Sequence, residues 1–292
     1  MGENGKFEFN PATFLKTEYV LPPLPAVVGR IKEIIEQDYA DMAEISELVS
    51  ADPSLVVQVL KVVNSAYYAM PNPVTDIKYA TAFLGLAELY RIVLTLAVVS
   101  TLEIKEESTL EEFWRDSYLT ALTGKVLVEK FEPNMEAEDL WSATLLHDVG
   151  RLLYAKFFPE ELNQVIQYCK ENGCLVEEAE SHFEFPSRAL FGSLLATHWE
   201  LPEMITLACA SHDEQSLQNL DPSSSEHAFQ RMICLSYLVS RMVEERLDEA
   251  HHTALTDTVS TYFKLDQEQC EELFDSVNEL RPEVSAFVAR LS

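Results

Sequence analysis

His147 and Asp148 stand side by side within Asp139-Leu140-Trp141-Ser142-Ala143-Thr144-Leu145-Leu146-His147-Asp148-Val149-Gly150-Arg151-Leu152, an apolar helical stretch that gives two metal-type ligands no packing reason to be there. The chemistry such a pair could serve is the ligation of a catalytic divalent ion. A catalytic ion of that kind needs about three or more protein ligands from separated elements and an open water position, so one pair is not yet a site. His147 also shares a helical face with Leu140, Ala143, Thr144 and Arg151, which equally suits an interior histidine whose ring nitrogens are satisfied by neighbours. His212-Asp213-Glu214 has ligand types too, but adjacent helical residues point in different directions, which favours a helix end with solvated acids. His182, His198 and the pair His251-His252 read as surface residues. Nucleophilic catalysis finds no support: there is no G-x-S-x-G elbow, no local cysteine signature and no phosphate-cradling glycine loop.

The elements that must position these residues are helices. Only 8 glycines occur in 292 residues, and apolar side chains recur at spacings of three and four. Leu21-Pro22-Pro23-Leu24-Pro25 introduces a stripe of Val27, Val28, Ile31, Ile34 and Ile35, because prolines precede or open a helix rather than sit within it. Asp41 to Glu44 has the spacing of a capping box ahead of Ile45, Leu48 and Val49, and Asp52-Pro53 announces a third helix. After the break at Pro71-Asn72-Pro73, Asp76 caps a helix leading to Gly85, and a longer apolar helix is predicted from Leu86 to about Leu102. Beyond the acidic stretch Glu103 to Glu112, the best candidate for a subdomain joint, helices are predicted around 110–131, 137–157, 159–172, 186–199, 202–212, 226–246, 253–263 and 267–290. Ser216 to Ser225 reads as an exposed loop.

Composition narrows the function class. The five cysteines, Cys169, Cys174, Cys209, Cys234 and Cys270, form an odd set without a C-x-x-C pair, which argues against a disulfide framework and a structural zinc site and for a reducing compartment. The start, Met1 to Lys6, is polar, and the longest apolar run, Ile92 to Val99 with one threonine, falls well short of the ~20 residues a membrane crossing needs. A cytoplasmic protein without a membrane partner is expected. A net charge of −28, from 49 acidic and 21 basic residues, repels polyphosphate backbones, so nucleic acid is not an expected partner. The acidity reads as a solvated surface or as a means of steering a basic partner protein.

Leu21-Pro22-Pro23-Leu24-Pro25, Ser50-Ala51-Asp52-Pro53-Ser54-Leu55, Val63-Asn64-Ser65-Ala66-Tyr67-Tyr68 and Ala80-Thr81-Ala82-Phe83-Leu84-Gly85 follow one another in this chain. Their order closely resembles the successive motifs of the HDOD domain, a bacterial regulatory relative of the HD superfamily of metal-dependent phosphohydrolases. The likeness continues through Phe113-Trp114-Arg115-Asp116-Ser117, Leu146-His147-Asp148-Val149-Gly150 and Trp199-Glu200-Leu201-Pro202, and so covers roughly residues 20 to 215. It implies an all-α, multi-helix HDOD fold with an N-terminal helical subdomain packed on an HD-like one. The implied division is an extension over 1–20, the first subdomain over 21–105, and the HD-like subdomain with the C-terminal helices over 106–292.

Carried across one position at a time, the resemblance leaves an incomplete ligand set. The first superfamily histidine, expected just before Ser117, is Asp116, which retains a carboxylate. The histidine that HD-GYP phosphodiesterases place four residues before a glycine falls on Arg188, upstream of Gly192, and a guanidinium cannot ligate a cation. Ser211-His212 stands for a pair of histidines, and the closing aspartate falls at Tyr237. The resemblance therefore implies a vestigial His147-Asp148 pair, with no catalytic residue, cofactor or bound metal expected. Were the site active, His147, Asp148, His212 and Asp116 would hold a divalent ion. Arg188 is expected to share the degenerate pocket with Tyr237 and to pair with Asp148.

The implied function is a bacterial signalling and regulatory module that acts by protein-protein contact without turnover. One alternative is a divergent metal-dependent phosphohydrolase or phosphodiesterase acting on a nucleotide or cyclic dinucleotide. The other is a nucleotide-binding module without catalysis. About twenty residues precede the first motif, too few for a receiver domain, so input is expected from a separate signalling protein or from a small molecule or nucleotide in a groove. Two tyrosines and a methionine beside a proline break, Tyr67, Tyr68 and Met70, are costly on a surface. They read as core or an intersubdomain contact or, with Glu106 and Glu107, as a surface through which the joint works.

Overall fold

The computed structural model describes residues 10–11, 13–15, 19–37, 41–244 and 247–291. The polar start Met1 to Lys6, and positions 245–246 at the end of the helix predicted over 226–246, lie outside the described residues. Every regular element among the described residues is helical, and two compact units emerge. One comprises Pro22–Glu107 with Pro282–Ser292, the other Met1–Leu21 with Ser108–Arg281. The division after Glu107 falls within the acidic stretch, but each terminus joins the unit that lies remote from it in sequence.

In the smaller unit, α1 (Ala26–Ile35) buries Val28, Ile31 and Ile34, the centre of its apolar stripe. Aspartates begin the next three helices, because a short carboxylate satisfies amides that lack a partner in the first turn. Asp41 accepts from the Ala43 amide at 2.8 Å ahead of α2 (Met42–Ser50), and Asp52 from Ser54 and Leu55 ahead of α3 (Pro53–Val63). Asp76 does the same for α4 (Ile77–Leu84) through Lys78. Gly85, at φ 80°, permits the 119° bend into α5 (Leu86–Thr101). Among the described residues no single helix is long and apolar enough to cross a membrane. Asn64 closes the proline-containing loop by bonding both the carbonyl and the amide of Val74, at 2.8 and 2.7 Å. Tyr67 is 2% exposed, which removes it from any working surface: its ring is core. Tyr68 is half-buried and donates its hydroxyl to Glu88 at 2.5 Å, whereas Glu106 and Glu107 are exposed.

The larger unit holds α6 (Glu107–Phe131), α7 (Ala137–Leu146), α8 (Val149–Phe157), α9 (Pro159–Asn172), α10 (Val176–His182), α11 (Arg188–His198), α12 (Glu203–Ala210), α13 (Glu214–Gln218), α14 (Ala228–Glu244), α15 (Glu249–Phe263) and α16 (Gln267–Asn278). Its core gathers Tyr118, Trp141, Tyr154, Phe191 and Tyr237. The N-terminal segment belongs here because Phe14, fully buried, sits among Phe157, Phe158 and Phe191 at ring separations of 5.9, 5.8 and 5.2 Å. The loop predicted over 216–225 is helical at its start, where Asp213 caps α13 through the Ser216 amide and Leu217 is buried. The helix predicted over 267–290 ends at Asn278 and restarts as α17 (Arg281–Leu291), since Pro282 has no amide proton to continue the ladder. Residues 282–291 pack with the first helices: Glu283 accepts from the Ala66 amide at 3.0 Å, and Arg290 donates to the Asn64 carbonyl at 2.8 Å.

Candidate functional site

The continuous helix predicted over 137–157 is broken at the residues of interest. α7 ends at Leu146 and α8 starts at Val149, leaving His147 and Asp148 in the turn between them. Asp148 has φ −102° and ψ 26°, and its side chain makes no cap to α8 although it stands at the capping position. Its carboxylate is engaged elsewhere. Arg188, at the start of α11, donates to Asp148 Oδ2 at 2.7 Å, and both side chains are buried. Asp148 Oδ1 is also buried and has no hydrogen-bond partner among the described residues.

Two glycines make this contact reachable. A Cβ placed on Gly150 would lie 1.9 Å from the Arg188 carbonyl oxygen and 2.7 Å from the Gly192 amide nitrogen. α8 and α11 thus meet backbone to backbone. Gly192 in turn fits against Cys209 of α12, where an added Cβ would lie 3.2 Å from that residue's Cβ.

Arg188 serves more than one carboxyl group. Its Nε lies 3.4 Å from Glu180 Oε1 and its second terminal nitrogen 4.0 Å from Glu177 Oε1, while its amide donates to Glu180 at 3.0 Å. One guanidinium cannot neutralise three carboxylates. Burial, only partly offset by Arg188, pushes the Glu180 carboxyl up to about 8, so Glu180 keeps its proton at neutral pH. Glu177 also accepts the Tyr237 hydroxyl at 2.8 Å.

Tyr237 leads to the histidines. Its ring centroid lies 5.4 Å from that of His147 and 5.0 Å from that of His212, and the two imidazoles stand edge to face at 4.9 Å. Each imidazole donates from Nδ1 to a carbonyl one turn earlier, His147 to Thr144 at 2.6 Å and His212 to Ala208 at 3.0 Å, since a carbonyl only accepts. Burial, with the neighbouring His212 next in weight, holds His147 well below its ordinary range and therefore neutral. His212 is buried, not part of a solvated helix end. The acid after it is the cap of α13.

Asp116 belongs to a different group. Its Oδ2 accepts from Arg151 at 2.6 Å and lies 3.3 Å from Arg241, while Arg151 also grips Glu112. Burial works against its charge, and the two arginines outweigh burial, leaving the carboxyl below its usual range. Arg241 links the clusters, with its guanidinium carbon 5.5 Å from the Tyr237 ring centre.

These residues do not fit a divalent ion. Asp148 and Asp116, the two carboxylates of the expected ligand set, are each held at Oδ2 by guanidinium groups, whose fixed positive charge repels a cation. Among the described residues no group of three or more His, Cys, Asp or Glu is disposed to hold a metal. Sequence reasoning placed His147, Asp148, His212, Arg188 and Tyr237, which the fold brings together. It placed Asp116 with them, and the fold holds that carboxylate on Arg151 and Arg241, the second of which reaches the Tyr237 ring. It missed Glu177, Glu180 and Arg241. Arg241 follows Tyr237 by one helical turn and carried a readable signal, whereas Glu177 and Glu180 stand in an acidic run that looks solvated.

The HDOD domain model matches residues 21–215. An uncharacterized protein of Treponema pallidum (strain Nichols) is 23% identical over 250 residues, 85% of this chain and 47% of its own length, so the chain spans about half of that curated relative. Among solved structures, an HDOD domain protein of unknown function from Geobacter sulfurreducens aligns with a TM-score of 0.70 at 22% identity over 97% of both chains. A Marinobacter aquaeolei VT8 protein provisionally named for signal transduction aligns at 0.69 and 21% identity, over 98% of this chain and 62% of its own. A Shewanella amazonensis SB2B protein provisionally named as a phosphohydrolase aligns at 0.65 and 20% identity, over 93% of this chain and 95% of its own. With the family model covering most of its length and the fold shared with those structures, the chain belongs to the HDOD domain family.

Proposed function

We propose that this chain is a cytoplasmic signalling module that works by contact with other proteins and turns over no substrate. The observation that carries this reading is the buried Arg188-Asp148 pair, which puts a fixed cation on the carboxylate a catalytic metal would need. The provisional naming of a structural neighbour for signal transduction supports it. The net charge of −28 favours a basic surface on the partner, with an on-rate that falls as salt is raised.

Protein purified without chelator is expected to hold well under one equivalent of iron, manganese, zinc or nickel and to leave phosphodiesters intact, cyclic dinucleotides included. Stoichiometric metal by elemental analysis, together with hydrolysis abolished by His147→Ala, would overturn the reading in favour of a divergent phosphohydrolase.

A further inference from the structure

Acidic residues outnumber basic ones 49 to 21 in this chain, yet one cavity of the larger unit reverses the balance. It measures about 510 Å³, within the range of small-molecule sites, and five cationic side chains line it against two carboxylates. The cations are Arg115 and Arg151, Lys170 at the end of α9, Arg188 and Arg241; the acids are Glu112 and Asp116. The remaining wall is apolar: Leu162, Val165 and Ile166 present one face of α9, with Val176 beside them. A charged end and an apolar side in one enclosure suit a ligand that is itself divided in this way.

The cations are not all committed. Arg115 and Lys170 have no ion-pair partner among the described residues. Arg151 is buried with its Nε lacking a hydrogen-bond partner among the described residues, and of the two acids it holds, Glu112 is half exposed. Glu112 regains water when displaced, while the incoming anion keeps the buried Arg151 paired, so the anion can take the place of Glu112. Asp116, beneath it, stays with Arg151 and Arg241. The free cationic capacity exceeds what a single carboxylate would use, and guanidinium forks match phosphate oxygens in pairs.

We infer that this cavity binds a small organic phosphate of about mononucleotide size, with its phosphate between Arg115, Arg151 and Lys170 and its less polar body along α9. Glu112 holds the place of the phosphate when the ligand is absent. Arg188 forms the inner wall, so the His147-Asp148 cluster senses an occupant through the guanidinium it shares with the cavity. This assignment rests on the non-catalytic reading above, to which it adds the class of signal.

The test is isothermal titration of the full chain with AMP, GMP, GTP, pyrophosphate and decanoate as separate probes, with each organic phosphate recovered afterwards and analysed by chromatography. At least one nucleotide is expected to bind, more tightly than pyrophosphate, which lacks the body, and than decanoate, which lacks the phosphate. The double substitution Arg115→Glu with Lys170→Glu, on a half-buried and an exposed side chain, is expected to weaken it at least about tenfold without changing the thermal melt. Glu112→Gln should tighten it, because the competing acid is gone. Absence of binding by every nucleotide, or unchanged affinity in both variants, overturns the cavity assignment and leaves the non-catalytic reading standing. Binding followed by recovery of hydrolysed nucleotide keeps the cavity and overturns the non-catalytic reading.

Discussion

Replacing Arg188 with methionine keeps most of the side-chain volume and removes one charge, which makes it the sharpest probe of the site. Asp148 is left buried with neither oxygen paired, since its Oδ1 has no partner even in the native arrangement. Removing one member of a buried ion pair costs about 3–5 kcal/mol. Arg188→Met is therefore expected to lose about 3–5 kcal/mol at pH 7. The second substitution Asp148→Asn, made in the Arg188→Met background, should recover most of the loss, because it removes the charge left unpaired. All three tryptophans, Trp114, Trp141 and Trp199, lie in the larger unit, so urea unfolding followed by tryptophan fluorescence reports on that unit alone. A loss under 1 kcal/mol at pH 7, or one that Asp148→Asn does not recover, would refute the reasoning.

Glu180 titrates in the opposite sense from a salt-bridged acid. Its folded value of about 8 lies above the ordinary 4.5, so its contribution to stability is complete below about pH 4.5 and declines as pH rises through 8. Glu180→Gln should accordingly gain stability over wild type between pH 6 and 8, and parallel urea midpoints across that range would contradict this. Gly150→Ala forces backbone apart at Arg188 and Gly192 and is expected to cost about 1–3 kcal/mol, whereas Gly29→Ala in α1, with nothing within 4 Å, should gain up to about 1 kcal/mol. Equal thermal melts for the two variants would count against the backbone contact. Phe14→Ala opens a cavity among Phe157, Phe158 and Phe191, and a loss of about 3–5 kcal/mol in urea is expected. An unchanged midpoint would show that the N-terminal segment does not pack on the larger unit.

The helices themselves were legible because their signals are local. Asp41, Asp52 and Asp76 cap within three residues, and the Val28, Ile31, Ile34 stripe repeats within one helix. The breaks within predicted helices were harder. Nothing in the periodicity of 137–157 marks a turn at His147-Asp148, where Asp148 turns to an arginine 40 positions away rather than to the helix it precedes. Set against the superfamily pattern that the chain resembles, the identities at Asp116, Arg188 and Tyr237 imply an incomplete ligand set. Sequence by itself thus determined the helical class, the family and which ligand types are missing, since residue identity and short-range spacing are sufficient for each. Tertiary structure alone decided that Asp116 is held by Arg151 and Arg241, that Glu180 lies buried with its proton beside Arg188, and that the two ends of the chain exchange units. Those outcomes depend on which distant charges share one guanidinium and on which aromatic and apolar surfaces find a partner, and neither is encoded within the reach of a single helix.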